Sequence, residues 1–495
     1  MNFKIYFAFL IIALLSGCNN RHEDFITEWE KMHATKQDVL AGFDSLKYGM
    51  FIHWGLYSIP AGVWKGQRID DMKKTPRVAE WIQYTAEIPR AEYAELAGEF
   101  NPVKFNADSI VQLAKDAGMK YLVITAKHHE GFAMYHSKVS KFNIVDATPF
   151  KRDIIDEIYH SCKKNGIRFG LYYSHARDWA DDGDSQYSVI KEMNDRKGWP
   201  TRIWGANTWD PCPVSFDKYL KKKAIPQVKE LLKKYPDLMI IWYDASTYML
   251  PEQSFTFYKI PFDIQPKTLI NSRVGPGVKE GDYDFGDYNN RGDNIIPEAS
   301  SQFKYWECVG TTNNSWGYKS YDNDFKSVKE QLWWLVNIVS KGGNFLLNIG
   351  PTAEGIVPDE SARNLREVGS WLKYNGDAVY NTRKWKIQSE GPTSLSFKGT
   401  EDRKERKFTA GFTPSDFWFT AAENKVYAIA IEYPEDNIAK IISLKKDGNT
   451  KVADVKLAAS HESLTFNQSD EALTVFLPEK KYNIYGYALE IIMGN

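Results

Sequence analysis

From about residue 48 to residue 375, short runs of apolar, β-branched or aromatic residues alternate with stretches whose apolar positions recur at helical spacing. That alternation predicts βα units wound around a parallel sheet. The runs place strands over 49–56, 121–126, 167–174, 238–244, 268–274, 303–307 and 344–349, and the amphipathic stretches place helices over 106–117, 153–164, 217–234, 327–340 and 359–374. Seven strands are one short of eight, so the expected fold is a distorted (β/α)8-like (TIM) barrel, with an open doubly wound sheet as the alternative. After about residue 381 the helical period gives way to short alternating runs over 425–431, 441–444, 473–476 and 485–492, the pattern of a C-terminal antiparallel β-sandwich. The expected division is a leader over 1–17, the barrel over 18–380 and the sandwich over 381–495. A long segment, 175–216, carries Trp179, Trp199, Trp204 and Trp209, and in a barrel it falls at the catalytic face.

The leader changes where the chain is expected to work. Lys4 is followed by an apolar run from Ile5 to Leu15 and then Ser16-Gly17-Cys18, which reads as a bacterial lipoprotein signal with its lipobox. The run is well short of the roughly 20 residues that a membrane span needs. The expectation is an exported chain that begins at Cys18, carries lipid there, and works in the periplasm or at the cell surface. Cys162, Cys212 and Cys308 then remain, an odd number without metal-like spacing, which is neither a disulfide framework nor a zinc site and leaves room for one pair at most. With 63 basic against 64 acidic residues, the chain offers no net attraction to nucleic acid. The 16 Trp and 28 Tyr exceed what a core needs and suit a cleft that stacks sugar rings.

Barrel enzymes carry their reactive groups at the C-terminal ends of strands. Those ends read Phe51-Ile52-His53-Trp54-Gly55, Lys127-His128-His129-Glu130-Gly131-Phe132, Tyr172-Tyr173-Ser174-His175, Trp242-Tyr243-Asp244-Ala245, Asn271-Ser272-Arg273 and Tyr305-Trp306-Glu307-Cys308. A carboxylate at a strand tip with a second one nearby is what retaining glycoside hydrolysis requires, and Asp244 fits the attacking role. The competing reading of a lone strand-end Asp is a helix cap. His128, His129 and Glu130 could also ligate a metal, but neighbours on a strand point to opposite faces, so hydrogen bonding to sugar hydroxyls is the better reading. Neither a GxSxG elbow at a strand-to-helix turn nor a GxxxxGK[ST] phosphate loop occurs, which demotes serine esterase and nucleotide-driven mechanisms.

In this order the motifs Tyr48-Gly49-Met50-Phe51-Ile52-His53-Trp54-Gly55, Glu80-Trp81, Lys127 to Phe132, Trp242-Tyr243-Asp244, Asn271-Ser272-Arg273, Trp306-Glu307, Asn314-Ser315-Trp316-Gly317-Tyr318 and Gly343 to Pro351 resemble the family 29 glycoside hydrolases, the retaining α-L-fucosidases. The resemblance implies a distorted barrel followed by a sandwich, double displacement at a terminal α-linked L-fucose of a fucosylated glycan, and neither metal nor organic cofactor. It implies Asp244 as nucleophile and His53, Glu80, Trp81, His128, His129, Trp242 and Arg273 as substrate-binding residues, joined by Tyr173, with Tyr172 as the alternative. For the general acid/base it points to Asp293, within the segment containing Gly286-Asp287-Tyr288 and Gly292-Asp293-Asn294, with Glu307 and Glu298 as further candidates. The chain departs from the family at Ala245, where Gly is common. Two other functions stay open here: a surface lipoprotein that binds carbohydrate without turnover, and a glycosidase of the same mechanism acting on a related sugar such as β-D-galactose. Linkage preference, oligomeric state and the role of the sandwich are not legible.

Overall fold

A computed structural model of the chain describes residues 24–180, 205–210, 212, 214–246, 249–275, 285–290, 292–297, 304–409, 411–447 and 450–494. Cys18 and its lipobox, Glu298, Trp199 and Trp204 lie outside the described residues.

Seven parallel strands form one curled sheet: β1 (Tyr48–Ile52), β2 (Tyr121–Lys127), β3 (Arg168–Tyr173), β4 (Ile240–Tyr243), β5 (Leu269–Ile270), β6 (Glu307–Thr311) and β7 (Asn344–Ile349), in the spatial order β5-β4-β3-β2-β1-β7-β6. Their residues are nearly all buried, because strands covered on both faces read as continuous apolar runs. The edges at β5 and β6 are joined by segment 285–290. Asp287 N–H donates to Ile270 O at 2.7 Å and Ser272 N–H to Tyr288 O at 2.9 Å, while Glu307 N–H donates to Asn289 O at 2.7 Å and Asn289 N–H to Tyr305 O at 3.0 Å. This segment fills the eighth position of a barrel, so the open-sheet alternative falls.

The apolar periodicity becomes helices that pack outside the sheet: α1 (Gln37–Leu46), α2 (Ala107–Asp116), α3 (Ile154–Asn165), α4 (Ile225–Lys234), α5 (Pro251–Ile264), α6 (Val328–Ser340) and α7 (Asp359–Asn375). Three start on side-chain caps, Asn106, Asp153 and Ser327, each accepting from the backbone N–H three residues on. Helix α3 ends at Gly166, whose φ of 70° is the left-handed stop that favours glycine.

The C-terminal part holds a five-stranded antiparallel sheet, with strands β8 (Arg383–Glu390), β9 (Phe417–Ala422), β10 (Lys425–Ala430), β12 (Val452–Leu457) and β15 (Tyr487–Met493), and a three-stranded one of β11 (Ile438–Ile441), β13 (Phe466–Gln468) and β14 (Leu473–Phe476). Phe417, Phe419, Val455 and Leu489 from the first sheet share a buried cluster with Ala439, Ile441, Leu473 and Val475 from the second, the packing of a sandwich. Between β8 and β9 the chain leaves the sheet for a short helix, α8 (Thr400–Arg406), which docks on the barrel.

Candidate active site

At the C-terminal ends of the strands lies a cavity of about 650 Å³ whose wall includes Phe51, His53, Glu80, Trp81, His128, His129, Trp242, Asp244, Arg273, Asp293 and Trp316. Asp244 follows β4 directly. Its Oδ1 accepts from Arg273 Nη1 at 3.1 Å and its Oδ2 from the Tyr172 hydroxyl at 3.0 Å. Burial pushes the carboxyl up, but the Arg273 charge and hydrogen bond, with the Tyr172 hydroxyl, outweigh it and hold Asp244 below the usual carboxylate range. The face of Trp242 backs this arrangement: Tyr172 stacks on it at 5.5 Å and 20°, and the Arg273 guanidinium lies 4.8 Å from its ring centre. The other end of the Arg273 guanidinium donates to Asp293 Oδ1. One cation therefore holds both carboxylates, and the Asp293 side chain is 49% exposed against 19% for Asp244.

Three histidines stand beside Asp244 as neutral rings, their pKa values driven down to about 3 for His53 and His128, and well below the usual range for His129, chiefly by burial. Their neighbours fix two tautomers. Asn348 donates its amide N–H to Trp316 O at 2.7 Å, so its oxygen faces His53 Nδ1 at 2.7 Å, and that nitrogen carries the proton. Ser174 donates to Arg177 O at 2.8 Å, so it accepts from His129 Nδ1 at 2.7 Å. Both Nε2 atoms are left as acceptors, that of His129 lying 3.7 Å from Asp244 Oδ2. Glu80 adds another acceptor. Its Oε2 is held by Gly317 N–H at 2.8 Å, while its buried Oε1 has no protein partner, and burial raises its pKa to about 7.

His128 and His129 both reach the cavity because β2 stops at Lys127 and the chain turns through Gly131, at φ 80°, instead of continuing as a strand. Among the described residues there is no cluster of three or more His, Cys, Asp or Glu side chains placed to hold a metal ion.

Two expectations need correction. Tyr173 does not face the site: its hydroxyl donates to Gln227 at 2.8 Å on the helix side, and Tyr172 takes the place beside Asp244, as strand alternation requires for neighbours. Glu307 does not line the cavity. The strand there runs over Glu307–Thr311 and not 303–307, which puts Glu307 at the start of β6, deep in the barrel, where it accepts from Tyr121 OH at 2.7 Å and Trp242 Nε1 at 3.0 Å. Burial raises its pKa to about 7. Phe51, Arg177 and Trp316, which line the cavity, and Asn348, which holds His53, are not among the residues the resemblance implies, although Phe51, Trp316 and Asn348 sit inside motifs the sequence displays.

The alpha-L-fucosidase family model matches residues 13–377, and the alpha-L-fucosidase C-terminal domain model matches residues 412–491. The tissue alpha-L-fucosidase of Bos taurus is 29% identical over 472 residues, covering 92% of this chain and 87% of its own. The crystal structure of an alpha-L-fucosidase from Vibrio sp. strain EJY3 superposes with a TM-score of 0.73 at 32% identity, covering 93% of this chain and 73% of that one. A trapped covalent intermediate of a Bacteroides thetaiotaomicron alpha-L-fucosidase, formed with 2-fluoro-fucosyl fluoride, superposes with a TM-score of 0.72 at 25% identity, covering 93% and 97%. The first model alone spans most of the chain, which therefore belongs to the alpha-L-fucosidase family, glycoside hydrolase family 29.

Proposed function

We propose that this chain is an exo-acting, retaining α-L-fucosidase in which Asp244 is the nucleophile and Asp293 the general acid/base. The observation that carries the reading is the single Arg273 guanidinium holding one mostly buried and one half-exposed carboxylate at a sugar-sized cavity. Retaining hydrolysis places its two carboxyl groups about 5 to 5.5 Å apart across the scissile bond. Asp244, kept ionised by Arg273 and Tyr172, attacks the anomeric carbon and forms a glycosyl ester while the Asp293 carboxyl gives its proton to the departing oxygen. Water then enters, Asp293 takes its proton, and fucose leaves with its configuration retained. His53 Nε2, His129 Nε2 and, when Glu80 is ionised, its Oε1 accept hydrogen bonds from hydroxyls of the sugar, and Phe51, Trp242 and Trp316 give the C6 methyl group an apolar wall. The covalent intermediate trapped in the Bacteroides thetaiotaomicron relative supports double displacement.

The test is release of nitrophenol from an aryl α-L-fucoside by wild type and by Asp244→Gly, with azide added to the variant. Loss of turnover with rescue as a β-fucosyl azide is the expected result, and normal turnover by the variant would refute it. The Ser16-Gly17-Cys18 sequence supports export and lipid anchoring at Cys18. Palmitate labelling of wild type but not of Cys18→Ala would bear this out, and equal labelling would refute it. Among the described residues no helix is long and apolar enough to cross a membrane.

A further inference from the structure

Residues 378–411 fall between the two matched family models, yet part of this stretch reaches the active site. Lys398, Thr400 and Glu401, at the start of α8, line the rim of the cavity. The excursion is fastened to the barrel by Arg403. Its Nε and Nη2 donate to the two oxygens of Glu330 on α6, both at 2.9 Å, and its Nη1 donates to Asn314 Oδ1 and Asp324 Oδ2, both at 2.9 Å. Arg403 and Glu330 side chains are 3% and 2% exposed, and a forked pair of this kind fixes orientation as well as distance. Lys404 adds a contact to Asp70 at 3.1 Å.

The fastened helix ends on the residue next to Asp293. Asn294 has φ 55°, and its Oδ1 accepts from Thr311 N–H at 2.9 Å at the end of β6. That fixes its amide nitrogen outward, where it donates to Thr400 Oγ1 at 2.8 Å. A Cβ added at Gly399, whose φ is 115°, would stand 3.6 Å from Asp293 O, so the backbone of the excursion also lies against Asp293 itself.

We propose that Thr400 is a positioning residue for the acid/base: carried by the C-terminal part of the chain, it holds Asn294 and thereby sets Asp293 over the glycosidic oxygen. The proposal rests on reading Asp293 as the acid. Proton donation matters most when the leaving group is a poor one, so a defect in positioning has a signature that a general loss of folding lacks.

The experiment measures kcat/KM of the full chain on aryl α-L-fucosides of graded leaving-group acidity, for wild type, Thr400→Val, Thr400→Ser, Thr400→Ala and Asp293→Asn. Thr400→Val is expected to lose about tenfold on the poorest leaving group and to stay within about twofold of wild type on a dinitrophenyl fucoside. Thr400→Ser, which keeps the hydroxyl, is expected to match wild type. Thr400→Ala stands in for the valine variant if valine disturbs the start of α8. An equal loss on all leaving groups, or none, would overturn the proposal. If Asp293→Asn shows the leaving-group bias and the Thr400 variants do not, only the role of Thr400 fails. If Asp293→Asn shows no bias, the acid assignment fails and this inference with it.

Discussion

The Tyr172 hydroxyl donates to Asp244 Oδ2 at 3.0 Å, while the ring beside it in sequence, Tyr173, points away and donates to Gln227. Stacking between His128, at 5.4 Å, and Trp242 fixes the Tyr172 ring, so Tyr172→Phe should keep the shape of the wall and remove only the hydrogen bond. A hydrogen bond to a charged group is worth about 1.5–3 kcal/mol, which predicts a loss of about 10- to 100-fold in kcat/KM. Tyr173→Phe should lower the unfolding free energy by about 1 kcal/mol and leave kcat/KM within about twofold. Steady-state kinetics and denaturant unfolding of the two variants decide it, and the reverse pattern would return the role to Tyr173.

Asp293 and Glu307 differ in the product an added nucleophile should give. With Asp293→Ala, Asp244 still forms the glycosyl ester, and azide can then enter the space the carboxyl leaves, so an α-fucosyl azide of retained configuration is expected. Glu307→Gln removes an acceptor from Trp242 Nε1 or Tyr121 OH and opens no route for azide, so it should slow all substrates alike and give no azide product. Nuclear magnetic resonance of the products separates the cases. An α-azide from Glu307→Gln would overturn the placement of the acid.

The barrel is legible where burial on both faces leaves a strand with an apolar run, as in Leu122-Val123-Ile124 of β2 and Phe345-Leu346-Leu347 of β7. It is not legible where a stave is polar. Segment 285–290 joins the sheet edges, but it carries Asp287, a buried carboxylate that accepts from Lys36 Nζ at 2.8 Å, Tyr258 OH at 2.7 Å and Ile270 N–H at 2.9 Å. Such a residue reads as loop from sequence because its partners are distant in the chain. Helix α5 is not legible, because Pro261 sits inside it, although Pro251 in its first turn is an ordinary start signal. The nucleophile candidate and its histidines sit within contiguous motifs. The clamp on Asn294 comes from Thr400, 106 residues away in another part of the chain, and no local pattern announces it.

Ala245, directly after Asp244, has φ 61°, in the left-handed region that glycine enters freely and alanine does not. The strain sits at the turn that aims the carboxylate, and it explains why glycine is common at this position in the family. Ala245→Gly should raise the unfolding free energy by about 0.5–1 kcal/mol, the relief exceeding the entropy glycine adds to the unfolded chain. Activity should change little, since Asp244 keeps its hydrogen bonds from Arg273 and Tyr172. Thermal unfolding with and without a fucose-like inhibitor checks this, and a lowered midpoint would mean the methyl group packs well enough to offset the strain.

Glu80 sets a pH signature that the same variant can test twice. Its folded pKa is about 7 against an ordinary 4.5, because burial disfavours its charge more than the Gly317 N–H favours it. A carboxyl raised in this way binds its proton more tightly in the folded state, so its contribution is fully present below pH 4.5 and is lost as pH rises through 7. Glu80→Gln cannot ionise. The stability of wild type relative to this variant should therefore fall by about 3 kcal/mol between pH 4.5 and pH 7.5 and level off above that. Because the Gly317 N–H keeps the amide oxygen, the variant puts an amide N–H where Oε1 stands, so kcat/KM should drop about 10- to 100-fold above pH 7, where Glu80 is a carboxylate, and approach wild type below it, where the protonated acid and the amide are alike. Urea unfolding of both proteins across this range gives the difference directly. A flat difference would mean that Glu80 is ionised in the folded enzyme throughout, and that its acceptor oxygen meets the sugar as a carboxylate.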